Sequence, residues 1–211
     1  MQSLHYPSSM PIIDLTMPLD ERTPVFPGDP PFKSVATTTV AVEGYEEHRL
    51  SLGSHTGTHV DAPSHMISGG KTLSELPLTQ LVGEAVVLDV RGQHRIDVPL
   101  GNVHPDDIVF FLTGHSERAF IPDYLVTSPV LTSALAERLV KTRVKVVGID
   151  SCTVDKHPYE VHHILLGHDI LIIENLVNLE PLVGKRFQCY ILPLKLSAAD
   201  GAPCRVIGIL S

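Results

Sequence analysis

TSALAERLVKTRVKVVGID, residues 132–150, is the stretch on which the fold turns. Leu135 and Leu139, with Leu131 just before the stretch, recur every four residues, the spacing of a helix with one buried face. Thr132 or Ser133 stands where an N-cap belongs. The following VKVVGID (144–150) is almost wholly apolar and rich in Val and Ile, which suits a strand covered on both faces. A helix that feeds directly into a buried strand is a local α-to-β unit.

Further strand-like runs lie on either side: IIDLT (12–16), EAVVLDV (84–90), DIVFFLT (107–113), DILIIEN (169–175), QCYILPLKL (188–196) and CRVIGIL (204–210). Helices are fewer. In TLSELPLTQLVG (72–83) Thr72 and Glu75 have capping-box spacing, Pro77 blocks anything longer than a turn, and Gly83 is placed to close it. Many strands with two or three helices give a mixed α/β class with more β than α. No repeat, linker or low-complexity block divides the chain, so residues 1–211 are expected to form one domain.

Bulk properties exclude several roles. The 211 residues are 43% hydrophobic and 19% charged, a globular composition, and no apolar run approaches the roughly 20 residues of a membrane span. A soluble protein with no membrane association is expected. MQSLHYPSSMP (1–11) lacks a basic segment followed by an apolar one, so no secretory signal is read there and the cytoplasm is the default. Sixteen basic against 24 acidic residues give a net charge of −8, a field that opposes nucleic acid; with no Trp and 5% aromatics there is little base-stacking surface either. Cys152, Cys189 and Cys204 have no CxxC spacing and read as buried free thiols.

The one compositional excess is 12 histidines. SHTGTHVDAPSHM, residues 54–66, sets three of them and an aspartate in a loop-like segment. His55 and His59 are four apart, but Gly57, Val60 and the Ala62–Pro63 pair disfavour a helix. Fully extended, the two would lie roughly 13 Å apart. The chain must therefore curve at Gly57 if His55, His59 and Asp61 are to converge, and that set suits Zn2+ or Mn2+. In VHHILLGHDILIIEN (161–175) an apolar strand ends on Glu174, a carboxylate that is costly among apolar neighbours unless paired or ligating. His162 to Gly167 can make one helical turn that folds His162 or His163 over the strand end. Together the two segments supply ligands enough for two metal ions.

HTGTHVDAPSH (55–65) resembles, at every fixed position, the HxGTHxDxPxH signature of the metal-dependent cyclase and bacterial kynurenine formamidase family, which includes isatin hydrolases. IIDLTMPLDERTPVFPGDPPF (12–32) is similar to that family's PGD segment, TGHS (113–116) and VVGIDS (146–151) to its central strands, and HHILLGHDILIIENLVNL (162–179) to its closing metal segment. The resemblance implies a swivelling β/β/α-type fold, a homodimer or homotetramer, and metal-centred hydrolysis of an amide or related acyl bond in a small molecule. Carried over, His55, His59 and Asp61 match the ligands of a first ion. Asp61 would bridge to a second held by His162 and Glu174, with His163 the alternative to His162. His65 matches the catalytic proton donor and acceptor. Zn2+, up to two ions per subunit, is the implied cofactor, with Mn2+ the alternative.

Where the formamidases resemble a WPGD pattern, this chain has FPGD. Phe26 is then either the aryl-facing wall of the substrate pocket or a core residue. The implied activity is arylformamidase-like; the alternatives are cyclic-amide hydrolysis, a cyclase or dehydratase, or a metal-binding relative without catalysis. An intact His65 argues against the last.

Overall fold

The computed structural model describes residues 10–210, so the stretch read for a leader lies almost entirely outside the described residues. In chain order the elements are β1 (Ile12–Asp14), β2 (Lys33–Thr38), α1 (Val40–Glu43), β3 (Glu47–Ser51), β4 (His59–Asp61), β5 (Val82–Asp89), β6 (Arg95–Ile96), β7 (Ile108–Leu112), β8 (Val130–Leu131), α2 (Ser133–Thr142), β9 (Val146–Ile149), α3 (Glu160–Leu166), β10 (Leu171–Glu174), β11 (Arg186–Pro193) and β12 (Gly201–Ile209).

The main sheet runs β12-β11-β5-β7-β9-β10-β4 and then closes, because β4 also pairs with the start of β12; β1 lies on the later half of the same β12 edge. A seven-stranded barrel results. Its middle strands β5, β7, β9 and β10 are parallel, and the others pair antiparallel. The period-two geometry of strands divides the apolar runs between two cores. Ala85, Val87, Ile108, Phe110, Val146 and Ile173 fill the barrel. Their neighbours Val86, Val109, Phe111, Val147, Ile149 and Ile172 face outward and are covered by α2 and α3. This is why the strands read as continuously apolar. Two barrel walls and one helical layer form the expected mixed α/β arrangement.

The stretch 132–150 folds as read. Thr132 Oγ1 accepts from Leu135 N at 3.2 Å, Leu135, Ala136 and Leu139 are buried, and Arg143 ends α2 in a left-handed conformation (φ 61°). Three expectations need correction. Gly83 closes no helix; it sits within β5, and the segment before it makes two separate 3-10 turns split at Pro77, the first held by Thr72 N donating to Glu75 Oε2 at 2.8 Å. The QCYILPLKL strand stops at Pro193, which is followed by a turn. The loop-like segment 54–66 contains a strand, β4, recruited by partners on both sides. β2 and β3, unread in the sequence, form a hairpin arm with an exposed surface. Among the described residues no helix is long and apolar enough to cross a membrane.

Candidate metal centre

β4 carries the centre. Its register sets His59 opposite Glu174 and Asp61 opposite Ile172 of β10, with Gly201 and Pro203 of β12 on its other side. Val60 points into the barrel core, so His59 and Asp61, one residue either side, face outward beneath α3. The chain arrives at this strand through Gly57, whose φ of +63° supplies the bend. That bend brings the rings of His55 and His59 to 5.0 Å between centroids. After the strand, Pro63 opens a 3-10 turn that ends on His65.

Four buried side chains, His59, Asp61, His162 and Glu174, meet there. His59 Nε2 lies 3.3 Å from Asp61 Oδ1 and 3.5 Å from Glu174 Oε2, and His162 Nε2 lies 3.4 Å from Glu174 Oε1 and 3.8 Å from Asp61 Oδ2. Donors held 2.0–2.1 Å from one tetrahedral ion stand about 3.3 Å apart, close to these spacings. His59 Nδ1 donates to Gly57 O at 2.8 Å, which leaves Nε2 turned inward; that nitrogen and Asp61 Oδ2 are fully buried without a hydrogen-bond partner among the described residues. An unpartnered nitrogen beside an unpartnered carboxylate oxygen is unfavourable unless a proton or a metal cation lies between them. The donor set fits a divalent metal. His55 joins from the rim, Nδ1 2.7 Å from Asp61 Oδ1 and Nε2 2.9 Å from Asp200 Oδ2.

The electrostatics show the same demand for positive charge. Burial opposes charge on His162, yet hydrogen bonds to Asp155 and Glu174 pull it up to about 10; His55, against its own burial, is pulled up to about 9 by Asp61 and Asp200. His59 is raised by Asp61 in the same way, and Asp61, despite burial, is held well below the usual carboxylate range by His55 and His59. His65 behaves differently, because burial outweighs its partners and lowers it. These groups open onto a cavity of about 420 Å3 lined on its apolar side by Phe26, Met66, Leu125 and Tyr159, a size that takes a small organic molecule.

The putative cyclase family model matches residues 13–156. The chain belongs to that family. Kynurenine formamidase of Bacillus cytotoxicus is 32% identical over 203 residues, 92% of this chain and 95% of the relative. Isatin hydrolase A of Labrenzia aggregata, solved with benzyl benzoate, superposes with a TM-score of 0.86 at 27% identity, over 95% of this chain and 93% of that one. A potential metal-dependent hydrolase with cyclase activity superposes with a TM-score of 0.81 at 30% identity, over 95% and 98%.

In this cyclase-family chain the two sequence segments, a hundred residues apart, do converge. Of the two candidate histidines on α3, His162 is buried and faces Glu174, whereas His163 is exposed. Phe26 is no core residue; it stands half exposed at the cavity mouth. Sequence reading missed Asp155, which accepts from His162 Nδ1 at 2.6 Å and from Val161 N at 2.6 Å, fixing the ring and the start of α3 together. It also missed Asp200, within reach of both His55 and His65. A buried relay was equally invisible: Tyr124 OH donates to Asn175 Oδ1 at 2.8 Å, and Asn175 Nδ2 donates to the same Gly57 carbonyl that anchors His59.

Proposed function

We propose that the protein is a divalent-metal-dependent hydrolase that cleaves the C–N bond of a small aryl formamide or cyclic amide. Its ligands are His55, His59, Asp61, His162 and Glu174, its resident ion is Zn2+, and two ions per subunit are within the capacity of the donor set. The observation that carries this reading is the buried pair of His59 Nε2 and Asp61 Oδ2, partnerless among the described residues and facing Glu174 and His162. A cation held there supplies Lewis acidity towards a water nucleophile and towards the carbonyl oxygen of the substrate.

The remaining work falls to the chain's own groups. Phe26, Met66 and Leu125 give the cavity an apolar wall against which an aryl ring packs, Phe26 taking the place of an indole in the formamidases. His65, neutral near pH 7 because burial disfavours its charge, takes a proton as water adds to the carbonyl carbon and returns it to the nitrogen as the C–N bond breaks. Asp155 and the Gly57 carbonyl hold the His162 and His59 rings through their Nδ1 atoms, the usual support for a ligating imidazole.

We further read the 211 residues as one catalytic domain that works as a homodimer or homotetramer. The exposed apolar residues of the hairpin arm, Val35 at 59% and Leu50 at 58% exposure, offer a subunit contact. Three free cysteines suit a reducing compartment such as the cytoplasm. Elemental analysis followed by turnover of formanilides, isatin-type cyclic amides and aryl esters, with and without chelator, tests the reading. Chelator-sensitive C–N cleavage is expected; bound metal with no turnover of any panel member makes the centre structural.

A further inference from the structure

The His65 ring has one hydrogen-bond partner among the described residues, and it comes from the far end of the chain. Asp200 Oδ2 lies 3.3 Å from His65 Nδ1 and 2.9 Å from His55 Nε2, and the two rings are tilted by 39° with centroids 4.0 Å apart. The backbone that carries this carboxylate is pinned beside them. Ala62 N donates to the Asp200 carbonyl at 2.8 Å, and the next residue, Gly201, pairs with Asp61. That pairing requires glycine, since a Cβ at position 201 would meet Val60 O at 2.7 Å and His55 Cε1 at 2.8 Å. Asp200 thus enters the cavity wall on a backbone tied to the ligand-bearing strand itself.

A neutral imidazole has one N–H and one lone pair, and the hydrogen bond at one nitrogen decides what the other offers. An acceptor fixed at Nδ1 stabilises the tautomer with Nδ1–H and leaves Nε2 bare. For a group that must first take a proton, that is the competent form. The 3.3 Å separation is long for a hydrogen bond, as catalytic contacts often are before substrate closes the site.

We propose that Asp200 is the positioning residue for His65: its carboxylate accepts from Nδ1–H, sets the tautomer and ring angle, and presents the Nε2 lone pair to the substrate cavity. The proposal rests on the hydrolase reading above, in which His65 moves the proton. It requires that Asp200 act through His65 rather than as a metal ligand or as a support for His55 alone.

Zinc-loaded wild type, Asp200→Asn, Asp200→Glu, His65→Ala and the double variant Asp200→Asn/His65→Ala separate these roles. Asp200→Asn is expected to lower kcat on the order of 10- to 100-fold, with KM within about twofold, metal content unchanged and part of the loss regained in Asp200→Glu. Adding Asp200→Asn to His65→Ala should cost nothing further. Loss of metal in Asp200→Asn, or an undiminished loss in the His65→Ala background, overturns the proposal. Long-range 15N–1H spectra of the wild-type histidine side chains read the same point without turnover. Nδ1–H with a bare Nε2 is expected at His65, and the opposite tautomer overturns the assignment. If wild type hydrolyses nothing in the panel, the hydrolase reading falls while the spectra still decide whether Asp200 sets His65.

Discussion

The metal-free protein should lose stability as the pH rises from about 7.5 to 9. In the folded chain His55 is held up to about 9 and His162 up to about 10, whereas a histidine in the unfolded chain titrates near its ordinary value of about 6.5. Both folded values are raised, so their stabilisation is complete below about pH 6.5 and is lost as the pH climbs through the folded values. Between about 7.5 and 8.5 these two histidines carry nearly two protons that they lack in the unfolded chain, and the excess shrinks as pH 9 is approached. Each unmatched proton is worth about 1.4 kcal/mol per pH unit, so stability falls by up to about 3 kcal/mol per unit. For a chain of this length that is roughly 5–10 °C of melting temperature per pH unit. A cation using the same nitrogens must displace those protons. At pH 7.5 zinc loading should therefore release about two protons, and affinity should rise by up to about 100-fold per pH unit until they are gone. Differential scanning calorimetry of chelator-stripped and zinc-loaded protein across this range, with titration calorimetry in two buffers of different ionisation enthalpy, measures both. A melting temperature of the stripped protein that is flat or rises with pH, or a proton count near zero at pH 7.5, refutes the reasoning.

Three further outcomes are expected. His65→Ala should keep its metal and lose about 10²- to 10⁴-fold in kcat, whereas His59→Ala or Asp61→Ala should lose metal and activity together, as elemental analysis beside steady-state kinetics will show. Asp155→Asn removes the charge that anchors His162 Nδ1 and should weaken zinc binding about 10- to 100-fold in a chelator competition; unchanged affinity would place the control of that ring elsewhere. Tyr124→Phe leaves the buried Asn175 Oδ1 without its donor and should cost about 1–3 kcal/mol of stability, read as a lower denaturant midpoint with an unchanged slope.

What could be read from the sequence was what lies close together along the chain. HTGTHVDAPSH displays four of the site's residues within eleven positions, and its glycine is the only residue there that permits the required bend at no steric cost. Glu174 betrayed itself as a carboxylate closing an apolar run. Asp200 gave no such sign: it lies 145 residues from His55 and 135 from His65, in AADGAP, which reads as an ordinary turn. Asp155 becomes meaningful only once α3 is known to begin over it. The barrel was hidden for a related reason. β4 is three residues long, too short for a periodic signal, and it is a strand only because β10 and β12 offer it hydrogen bonds on both sides. α2 carries its own cap and its own stripe and so needed no partner to be recognised.

That shortness makes β4 the latch of the barrel as well as the carrier of the site. The same three residues close the seam between β10 and β12 and hold His59 and Asp61 at the centre, so the seam cannot part without dispersing that cluster. An ion bound by these groups would rivet the seam and tie the closure of the barrel to metal occupancy. Stripping that ion would then loosen the barrel first at β4, between β10 and β12.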